Sequence, residues 1–354
     1  MSKKVFVGLS GGVDSAVSAA LLKEQGYDAV GVFIKIWQPE FIECTWKEDR
    51  LDAMRVCAAL GIPFREVDLS EEYKKDVVES MVRDYARGVT PNPDVLCNRY
   101  IKFGSFLKWA IAEGADTIAT GHYARIETWN NNDLRNRYIL QRGKDSAKDQ
   151  SYFLYRLNQE DLRRTLFPIG GLRKSEVREK AFRYKLPVAE KPDSQGLCFV
   201  GEVGMADFLA RFIPVAPGSV YLGNEIIGEH QGAALYTLGQ RHGFTSTKAS
   251  APGPYYVVAT DVKKNAIQVS LRREDAARGS VLLEDVHWIT GEPDFSATLL
   301  VQARYHEQPV PATLSREGKE VRVTFGNPHI ASPGQSLVIY KDDVCLGGGG
   351  IRSF

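Results

Sequence analysis

The first half of the chain alternates short, continuously apolar runs with longer segments whose apolar residues recur at helical spacing. The apolar runs are KVFVGL, AVGVFIKIW, FREVDL and DTIATGHYARI. The spacing between them predicts helices over about 14–25, 49–60, 70–87 and 98–113. A strand that is apolar on both faces is buried on both faces, so this alternation predicts a parallel sheet covered by helices. The first 190 or so residues are therefore expected to form one doubly wound α/β domain.

The pattern changes after about residue 202. Segments rich in Gly, Pro and Val follow, such as APGPYYVVATDVKKNAIQVSL, with turn signals and without a long amphipathic helix. From about residue 279 apolar and polar positions alternate around turns, as in a small barrel or sandwich. We expect three domains: an α/β domain over 1–203, a small mostly-β domain over 204–277 and a C-terminal β-barrel over 278–354.

Composition narrows the class of protein. At 354 residues and 44% apolar content the chain can build packed cores. No apolar run approaches the roughly 18 residues that a membrane span needs, and the N-terminus lacks the apolar region of a signal peptide. We therefore expect a cytoplasmic protein without membrane contact. The formal net charge of +1 gives no support for nucleic-acid binding, so any such contact needs a local patch, such as the basic stretch 161–191.

The cysteines are five, an odd number, and widely spaced: Cys44, Cys57, Cys97, Cys198 and Cys345. No Cys-x-x-Cys pair occurs. This usage argues against a disulfide scaffold and against a spaced zinc site. We assign Cys44, Cys57 and Cys345 to structure.

The loop after the first strand, LSGGVDSAV, permits two interpretations. Gly8, Ser10 and Gly12 fit the nucleophile elbow of a hydrolase, but the nine residues before Ser10 leave no room for an oxyanion loop. As a phosphate loop the segment fits better, because Gly11 and Gly12 let backbone N–H groups approach an anion at a helix start. Asp14 is placed to hold Mg²⁺ or to cap the helix. The loop is neither a Walker A site nor a dinucleotide fingerprint, so it suits pyrophosphate.

Two further segments carry candidate reactive groups. TPNPDVLCNRYIKFG places Asp94 three residues before Cys97, near a helix start, where the helix N-terminus lowers a thiol pKa. KPDSQGLCFVGE places Cys198 in a glycine-interrupted loop after the basic stretch. A single cysteine is more often a small buried hydrophobe. Two cysteines in polar, turn-rich segments of a phosphate-binding domain are candidates for chemistry.

These motifs resemble those of a known family. SGGVDS is similar to the loop of the PP-loop ATP pyrophosphatases, which cleave ATP to AMP and pyrophosphate while adenylating a carbonyl oxygen. The two cysteine segments, with GHYA, KDQSYFL, LYTLGQRHG and SPGQSLVIYKDDVCLGGGGI, resemble motifs of the tRNA-specific 2-thiouridylases (MnmA/TrmU family). The resemblance spans nearly the whole chain. It departs at His306, where the family pattern has a second Arg after Arg304-Tyr305, and in the less acidic segment WQPEFIECTWKEDR.

The resemblance implies ATP-dependent 2-thiolation of the wobble uridine of tRNA. Cys198 would carry a persulfide, Cys97 would be the partner thiol that closes a disulfide with it, and Asp94 would be an acid or base. ATP and Mg²⁺ would be held at one site. Its residues would be Gly8, Ser10, Gly11, Gly12, Asp14, Ser15, Phe33, Gly121 and His122.

The same resemblance implies the substrate contacts and partners. Residues expected to contact the tRNA are Lys148, Asp149 and Gln150 near the flipped base, and Arg304 and Tyr305 in the barrel. Trp37, Tyr123 and Tyr152 are either stacking residues for that base or residues of the core or its rim. The implied partners are tRNA and a sulfur-donor protein, either a cysteine desulfurase or a sulfur-relay carrier. We take a monomer as the default.

Three alternatives stay open. A carbonyl-activating ATP ligase of the same superfamily delivers nitrogen and needs no paired thiols. An RNA-binding protein that has lost catalysis would bind tRNA without releasing AMP. Within the favoured class, Cys97, Cys198 and Asp94 could instead ligate an iron–sulfur cluster that carries the sulfur.

Overall fold

The computed structural model describes residues 2–41, 46–129, 137–193, 204–247 and 253–352, so Cys44 and Cys198 lie outside the described residues. The strands are β1 (Lys4–Leu9), β2 (Asp28–Lys35), β3 (Phe64–Asp68), β4 (Thr117–Ala119), β5 (Ala124–Trp129), β6 (Arg137–Arg142), β7 (Thr165–Leu166), β8 (Gly218–Leu222), β9 (Glu225–His230), β10 (Phe244–Ser246), β11 (Tyr256–Asp261), β12 (Ala266–Ser270), β13 (Arg278–Trp288), β14 (Leu299–Gln302), β15 (Val310–Glu317), β16 (Glu320–His329), β17 (Ser336–Lys341) and β18 (Val344–Ile351).

The α-helices are α1 (Val13–Glu24), α2 (Trp46–Leu60), α3 (Ser70–Tyr73), α4 (Glu79–Ala86), α5 (Pro93–Leu96), α6 (Leu107–Ala112), α7 (Gln159–Arg163), α8 (Lys174–Arg183) and α9 (Met205–Leu209). π-helical turns join α3 to α4 (Lys74–Val78) and α5 to α6 (Cys97–Phe106). Short 3₁₀ turns cover Ser151–Leu154, Ala233–Leu235 and Arg273–Ala276. Within the described parts of the chain, no helix has the length and apolar character needed to cross a membrane.

The N-terminal domain is built on a parallel sheet of order β3-β2-β1-β4-β7. Both faces of its central strand are buried. Phe6 belongs to the core that includes the helical segment 93–112, whereas Val5 and Val7 pack with α1, α2 and α8. Helices thus cover both sides of the sheet, which confirms the predicted doubly wound α/β fold.

One predicted boundary differs. The helix expected from about residue 98 begins at Pro93, because Asn92 caps it: its side-chain oxygen accepts the Val95 N–H at 3.3 Å. Proline also suits the first helical position, where the chain needs no N–H donor. Strand β7 and the hairpin β5–β6 were not predicted; β7 is two residues long, and the hairpin leaves the parallel sheet altogether.

The C-terminal domain is a closed barrel. Its antiparallel strands follow the order β13-β16-β15-β14-β17-β18, and pairing of β13 with β18 closes it. A side chain at Gly347 would run into the carbonyl of His287, so the glycine run of β18 lets the two strands meet. Hairpin β5–β6 extends the same sheet, with Gln141 opposite Val344. The barrel predicted from the alternating pattern is confirmed.

The middle domain is a sheet of order β10-β9-β8-β12-β11 around its own small core. Its only described α-helix, α9, is five residues long. The expected small mostly-β domain is therefore present.

All three domains meet at residues 90–92, which we call the junction segment. The Thr90 N–H donates to the carbonyl of Pro333 at 3.1 Å, and the Gln335 amide donates to the carbonyls of Thr90 and Pro91 at 3.0 and 3.1 Å. The hydroxyl of Thr90 lies 3.0 Å from that of Thr237 in the middle domain. The barrel and the middle domain thus hold the segment that leads into the helix carrying Cys97.

The close contact between the barrel and Thr90 is possible because residue 334 is glycine. A substitution at this position tests the contact. Its φ is +84°, and an added Cβ would lie 2.8 Å from the Thr90 carbonyl oxygen and against Val89. Gly334→Ala should cost about 2–4 kcal/mol of unfolding free energy, from left-handed strain plus overpacking. Gly318 is the matched control, with φ +64° and open space around it, so Gly318→Ala should cost only about 1 kcal/mol. Equal losses in denaturant unfolding would contradict the close contact.

Candidate active site

The predicted phosphate loop lies between β1 and α1. Gly11 has φ +74°, and a Cβ there would approach the Asp49 carbonyl oxygen to 2.5 Å, so only glycine fits. Gly12 is the N-cap of α1 and supplies no capping side chain. The Ser10 N–H donates to Ser15 Oγ, which donates to the Gly12 carbonyl at 3.1 Å. The N-cap of α1 thus makes no side-chain hydrogen bond to the helix, an arrangement that is compatible with an anion at this end.

The other predicted nucleotide residues occupy different positions. Gly121, just after β4, packs so closely that a Cβ would lie 2.7 Å from the Ser15 nitrogen, at the amino end of α1. Gly8 is a residue of β1, and a Cβ there would make only ordinary contacts at 3.6 Å. Phe33 is 5% exposed near the end of β2 and packs near the ring of Trp46.

Asp14 is the centre of an ionic network. Its carboxylate accepts the Tyr123 hydroxyl at 2.7 Å and the Lys174 ammonium at 2.7 and 2.9 Å. Lys174 also contacts Asp193 at 2.7 Å. Asp193 receives two further cations, Lys148 and Arg178, each at 2.8 Å. The network ties the phosphate loop to the last described residue before the Cys198 segment.

Charge dominates the titration of this network. Burial acts to raise the pKa of Asp193, but the hydrogen bonds from Lys148 and Lys174 outweigh it and bring the pKa down to about 2. Burial, reinforced by the Asp14 carboxylate, raises the pKa of Tyr123 far above its usual value, so its hydroxyl remains a donor.

His122 lies beside the same loop and is buried. Its Nδ1 is 2.7 Å from Thr120 Oγ1, and its Nε2 is 3.4 Å from the Lys102 ammonium. Burial first, and then the charge of Lys102, hold the pKa of His122 well below its ordinary value. The imidazole is therefore neutral at physiological pH.

Asp94 and Cys97 lie on the helical segment that starts at Pro93. Asp94 is exposed to solvent. Neighbouring protein atoms nevertheless desolvate its carboxyl and raise the pKa of Asp94, and the charge of Lys102 opposes the shift. Cys97 is half-buried and starts the π-helical turn, more than one turn from the helix start. The helix dipole fades over the first turn, so it acts on Cys97 less than the sequence suggested.

The barrel brings Tyr305 near Asp94. The Tyr305 ring lies 4.3 Å from that of Phe153, and burial together with the charges of Asp149 and Asp94 raises the pKa of Tyr305 to about 12. Arg304 donates to the carbonyl of Leu238 in the middle domain at 3.2 Å. His306 is exposed and has φ +64°.

Of the three residues predicted to line the site near the base, one belongs to the ionic network and two stabilise a turn. Lys148 enters the ionic network through Asp193. Asp149 accepts the N–H groups of Gly143 and Ser151 at 2.9 and 3.1 Å, and Gln150 accepts the Tyr123 N–H at 3.0 Å. Asp149 and Gln150 therefore fix the turn that supports Lys148.

The aromatic candidates for stacking also differ. Tyr123 and Tyr152 are at most 2% exposed. They are therefore core residues and not stacking residues for the base. Trp37 is half-buried and, with Phe212 and Val78, lines a groove of about 300 Å³. Cys57 and Cys345 are buried, in keeping with a structural role.

The basic stretch is largely neutralised within the fold. Lys174 and Arg178 belong to the ionic network, and Lys191 contacts Asp49 and Asp52 at 2.8 and 2.7 Å. The sequence suggested neither these pairings nor the part played by Asp193, since the carboxylates are far away along the chain. Sequence reasoning also left Thr237 and Gln335 without roles, although both lie in the quoted motifs.

The lowered pKa of Asp193 predicts a pH-dependent contribution to stability. Its folded-state pKa of about 2 lies below the ordinary value of 3.8 for an aspartate, so the stabilisation is complete above 3.8 and is lost as the pH falls through about 2. Asp193→Asn should cost about 2 kcal/mol in denaturant unfolding at neutral pH, and the cost should shrink near pH 3. The exposed Asp28 is the control, because Asp28→Asn should change little. A cost for Asp193→Asn that does not vary with pH would contradict the pairing.

Family models match three consecutive parts of the chain. The tRNA methyl transferase HUP domain covers residues 3–202, the tRNA methyl transferase PRC-barrel domain 206–271, and the aminomethyltransferase beta-barrel domain 278–351. One solved structure, the U34-tRNA thiolase NcsA from Methanococcus maripaludis, is 22% identical over 60% of this chain and 67% of its own, with a TM-score of 0.35. A match this weak supports no functional conclusion.

Similarity to curated relatives extends over the whole length. Three of these relatives carry the name tRNA-specific 2-thiouridylase MnmA. That from Nitrosomonas eutropha is 44% identical, covering 98% of this chain and 97% of its own. Those from Methylobacillus flagellatus and Proteus mirabilis are 42% and 44% identical, covering 100% and 99% of this chain and 99% and 97% of their own. The chain belongs to the tRNA-specific 2-thiouridylase family.

Proposed function

We propose that this protein is an ATP-dependent tRNA-uridine 2-sulfurtransferase that thiolates C2 of the wobble uridine. One observation supports this most: the phosphate loop adjoins, through Gly121 and His122, the helical segment that carries Asp94 and Cys97. An anion-binding loop beside a thiol and a carboxyl group suits activation of a carbonyl oxygen followed by sulfur chemistry.

The loop residues Ser10, Gly11, Gly12 and Ser15 would hold the phosphates of ATP at the amino end of α1. Asp14 fits Mg²⁺, because this ion is commonly held by one or two carboxylates together with phosphate oxygens. The Lys174 ammonium now occupies the cation position on that carboxylate. A bound Mg²⁺ would neutralise phosphate charge, and Lys174 would then keep its second partner, Asp193.

We infer two bond exchanges for the proposed reaction. The uridine O2 attacks the α-phosphorus, and the bond to pyrophosphate breaks. The terminal sulfur of a persulfide on Cys198 then forms a bond to C2, and AMP leaves with the oxygen and its electron pair. Adenylation is required because the C2 oxygen is otherwise a poor leaving group. Asp94, whose pKa is raised, suits the exchange of the base proton.

Release of the product uses the second thiol. The Cys97 thiolate attacks the Cys198 sulfur of the base–S–S–Cys198 intermediate; a Cys97–Cys198 disulfide forms, and the thiolated base departs with the electron pair. A reductant must then restore the two thiols. The disulfide route therefore needs no iron–sulfur cluster, and full activity of an iron-free preparation would support it.

We assign recognition of tRNA to the barrel and to the residues near Asp94. Tyr305, on which the charge of Asp94 acts, would contact the flipped nucleotide, and Arg304 precedes it at the border of the middle domain. The replacement of the expected Arg by His306 removes one permanent cation from this edge. A cysteine desulfurase or sulfur-relay carrier would load Cys198, and we expect a monomer acting in the cytoplasm.

Sulfur transfer predicts a specific dependence on cysteines. With ATP, Mg²⁺, a persulfide donor and tRNA bearing an unmodified wobble uridine, wild type should form 2-thiouridine, detected by mass spectrometry of digested RNA. Cys97→Ala and Cys198→Ala should each lower product formation by at least about 100-fold. Cys57→Ala is the control, because this buried thiol packs against Gly31.

The alternatives predict different results. If AMP is released but no thiolated nucleoside forms, the protein is a nitrogen-delivering ligase, and both cysteine variants should remain active. If tRNA binds without ATP-dependent AMP release, the protein only binds RNA. Either result would reject the proposal.

A further inference from the structure

The π-helical turn Cys97–Phe106 brings a cation nearer to the face that carries Cys97. In a π-helix each N–H donates to the carbonyl five residues earlier and the turn is wider, so Cys97 and Lys102 lie closer to a common face than the same spacing gives in an α-helix. In an ordinary α-helix the same spacing would turn the two side chains about 140° apart. π-Helical turns occur frequently at functional sites, which draws attention to Lys102.

Lys102 is held in place by a neutral partner. Its ammonium lies 3.4 Å from His122 Nε2, and a neutral imidazole that accepts there carries its proton on Nδ1. That proton then points to Thr120 Oγ1, 2.7 Å away. The histidine therefore orients the ammonium but does not balance its charge.

The charge of Lys102 lacks a close carboxylate. In the described parts of the chain, no ion pair within 4.0 Å involves Lys102, whereas Lys148, Lys174 and Lys191 each contact an aspartate within 2.8 Å. The carboxylate of Asp94 interacts with the Lys102 ammonium only through their charges at longer range. A half-buried ammonium without a close counter-charge is suited to an anion that arrives with the substrate.

The position of Lys102 indicates which anion its ammonium would bind. On one side, His122 follows Gly121, which touches the amino end of α1. On the other side lie Asp94 and Cys97, where the uridine is expected. The phosphorus joined to both the nucleotide and the uridine oxygen is the α-phosphorus.

We propose that Lys102 is a catalytic residue that binds an α-phosphate oxygen of the nucleotide, both while the uridine is adenylated and while AMP departs. The inference rests on the proposed function. In the first step the uridine O2–phosphorus bond forms and the bond to pyrophosphate breaks; in the second the C2–sulfur bond forms and AMP leaves with the electron pair. The ammonium keeps its proton throughout and stabilises the phosphate charge.

The test compares Lys102→Met, Lys102→Gln and Lys102→Arg in single-turnover release of AMP from labelled ATP, with tRNA and a persulfide donor. Removing the cation should slow AMP release about 100-fold. Lys102→Arg should retain most of the rate, since a guanidinium also binds phosphate oxygens. Lys108→Met is the matched control, an exposed lysine six residues further along the same helical segment, and it should behave as wild type.

The possible results separate three cases: binding of the phosphate by Lys102, a different role of Lys102, and failure of the proposed function. Binding of α,β-methylene-ATP should weaken in Lys102→Met and Lys102→Gln while their thermal unfolding midpoints stay near that of wild type, which a merely structural role would not produce. Normal AMP release with slow formation of 2-thiouridine would overturn the inference and assign Lys102 to the Cys97 thiolate. If wild type itself releases no tRNA-dependent AMP, the proposed function fails, independently of Lys102.

Discussion

The hydrogen bonds that hold the junction segment, residues 90–92, between the three domains are the constraint on which the site depends. Gln335 and the Pro333 carbonyl fix this segment from the barrel, and Thr237 fixes it from the middle domain. Because the segment leads directly into the helix that carries Asp94 and Cys97, the position of the reactive groups relative to the parallel sheet is set by domain docking. The barrel therefore helps to position Asp94 and Cys97.

A second constraint connects the phosphate loop with the sulfur chemistry. Lys174 bridges Asp14, at the start of α1, and Asp193, which precedes the segment that carries Cys198. Under the proposed function, Mg²⁺ at Asp14 would leave Lys174 with Asp193 alone and so connect nucleotide binding to Asp193. The proposed reaction needs such a connection, since sulfur should be delivered only after the uridine has been activated.

Much of the fold was predictable from the sequence. Strands that are apolar at every position are buried on both faces, whereas strands that alternate apolar and polar positions are buried on one face. The phosphate loop was also predictable, since Gly11 needs a left-handed φ at a strand-to-helix turn. Contacts between residues far apart in the sequence could not be predicted. Hairpin β5–β6 extends the barrel sheet, and Asp193 forms ion pairs with three cations that come from elsewhere in the chain. Lys102 was missed because a helical spacing rule assumes α geometry, and the π-helical turn changes which residues share a face.

The most direct test of the account is the stoichiometry of a single turnover. Persulfide-loaded protein would be mixed with labelled ATP and unmodified tRNA, and AMP, pyrophosphate and 2-thiouridine would be counted in the same quenched samples. The account predicts one AMP and one pyrophosphate for each 2-thiouridine, with AMP appearing no later than the thiolated base. Formation of 2-thiouridine without AMP, or release of ADP and phosphate instead, would contradict adenylation of the uridine as the step that prepares it for sulfur.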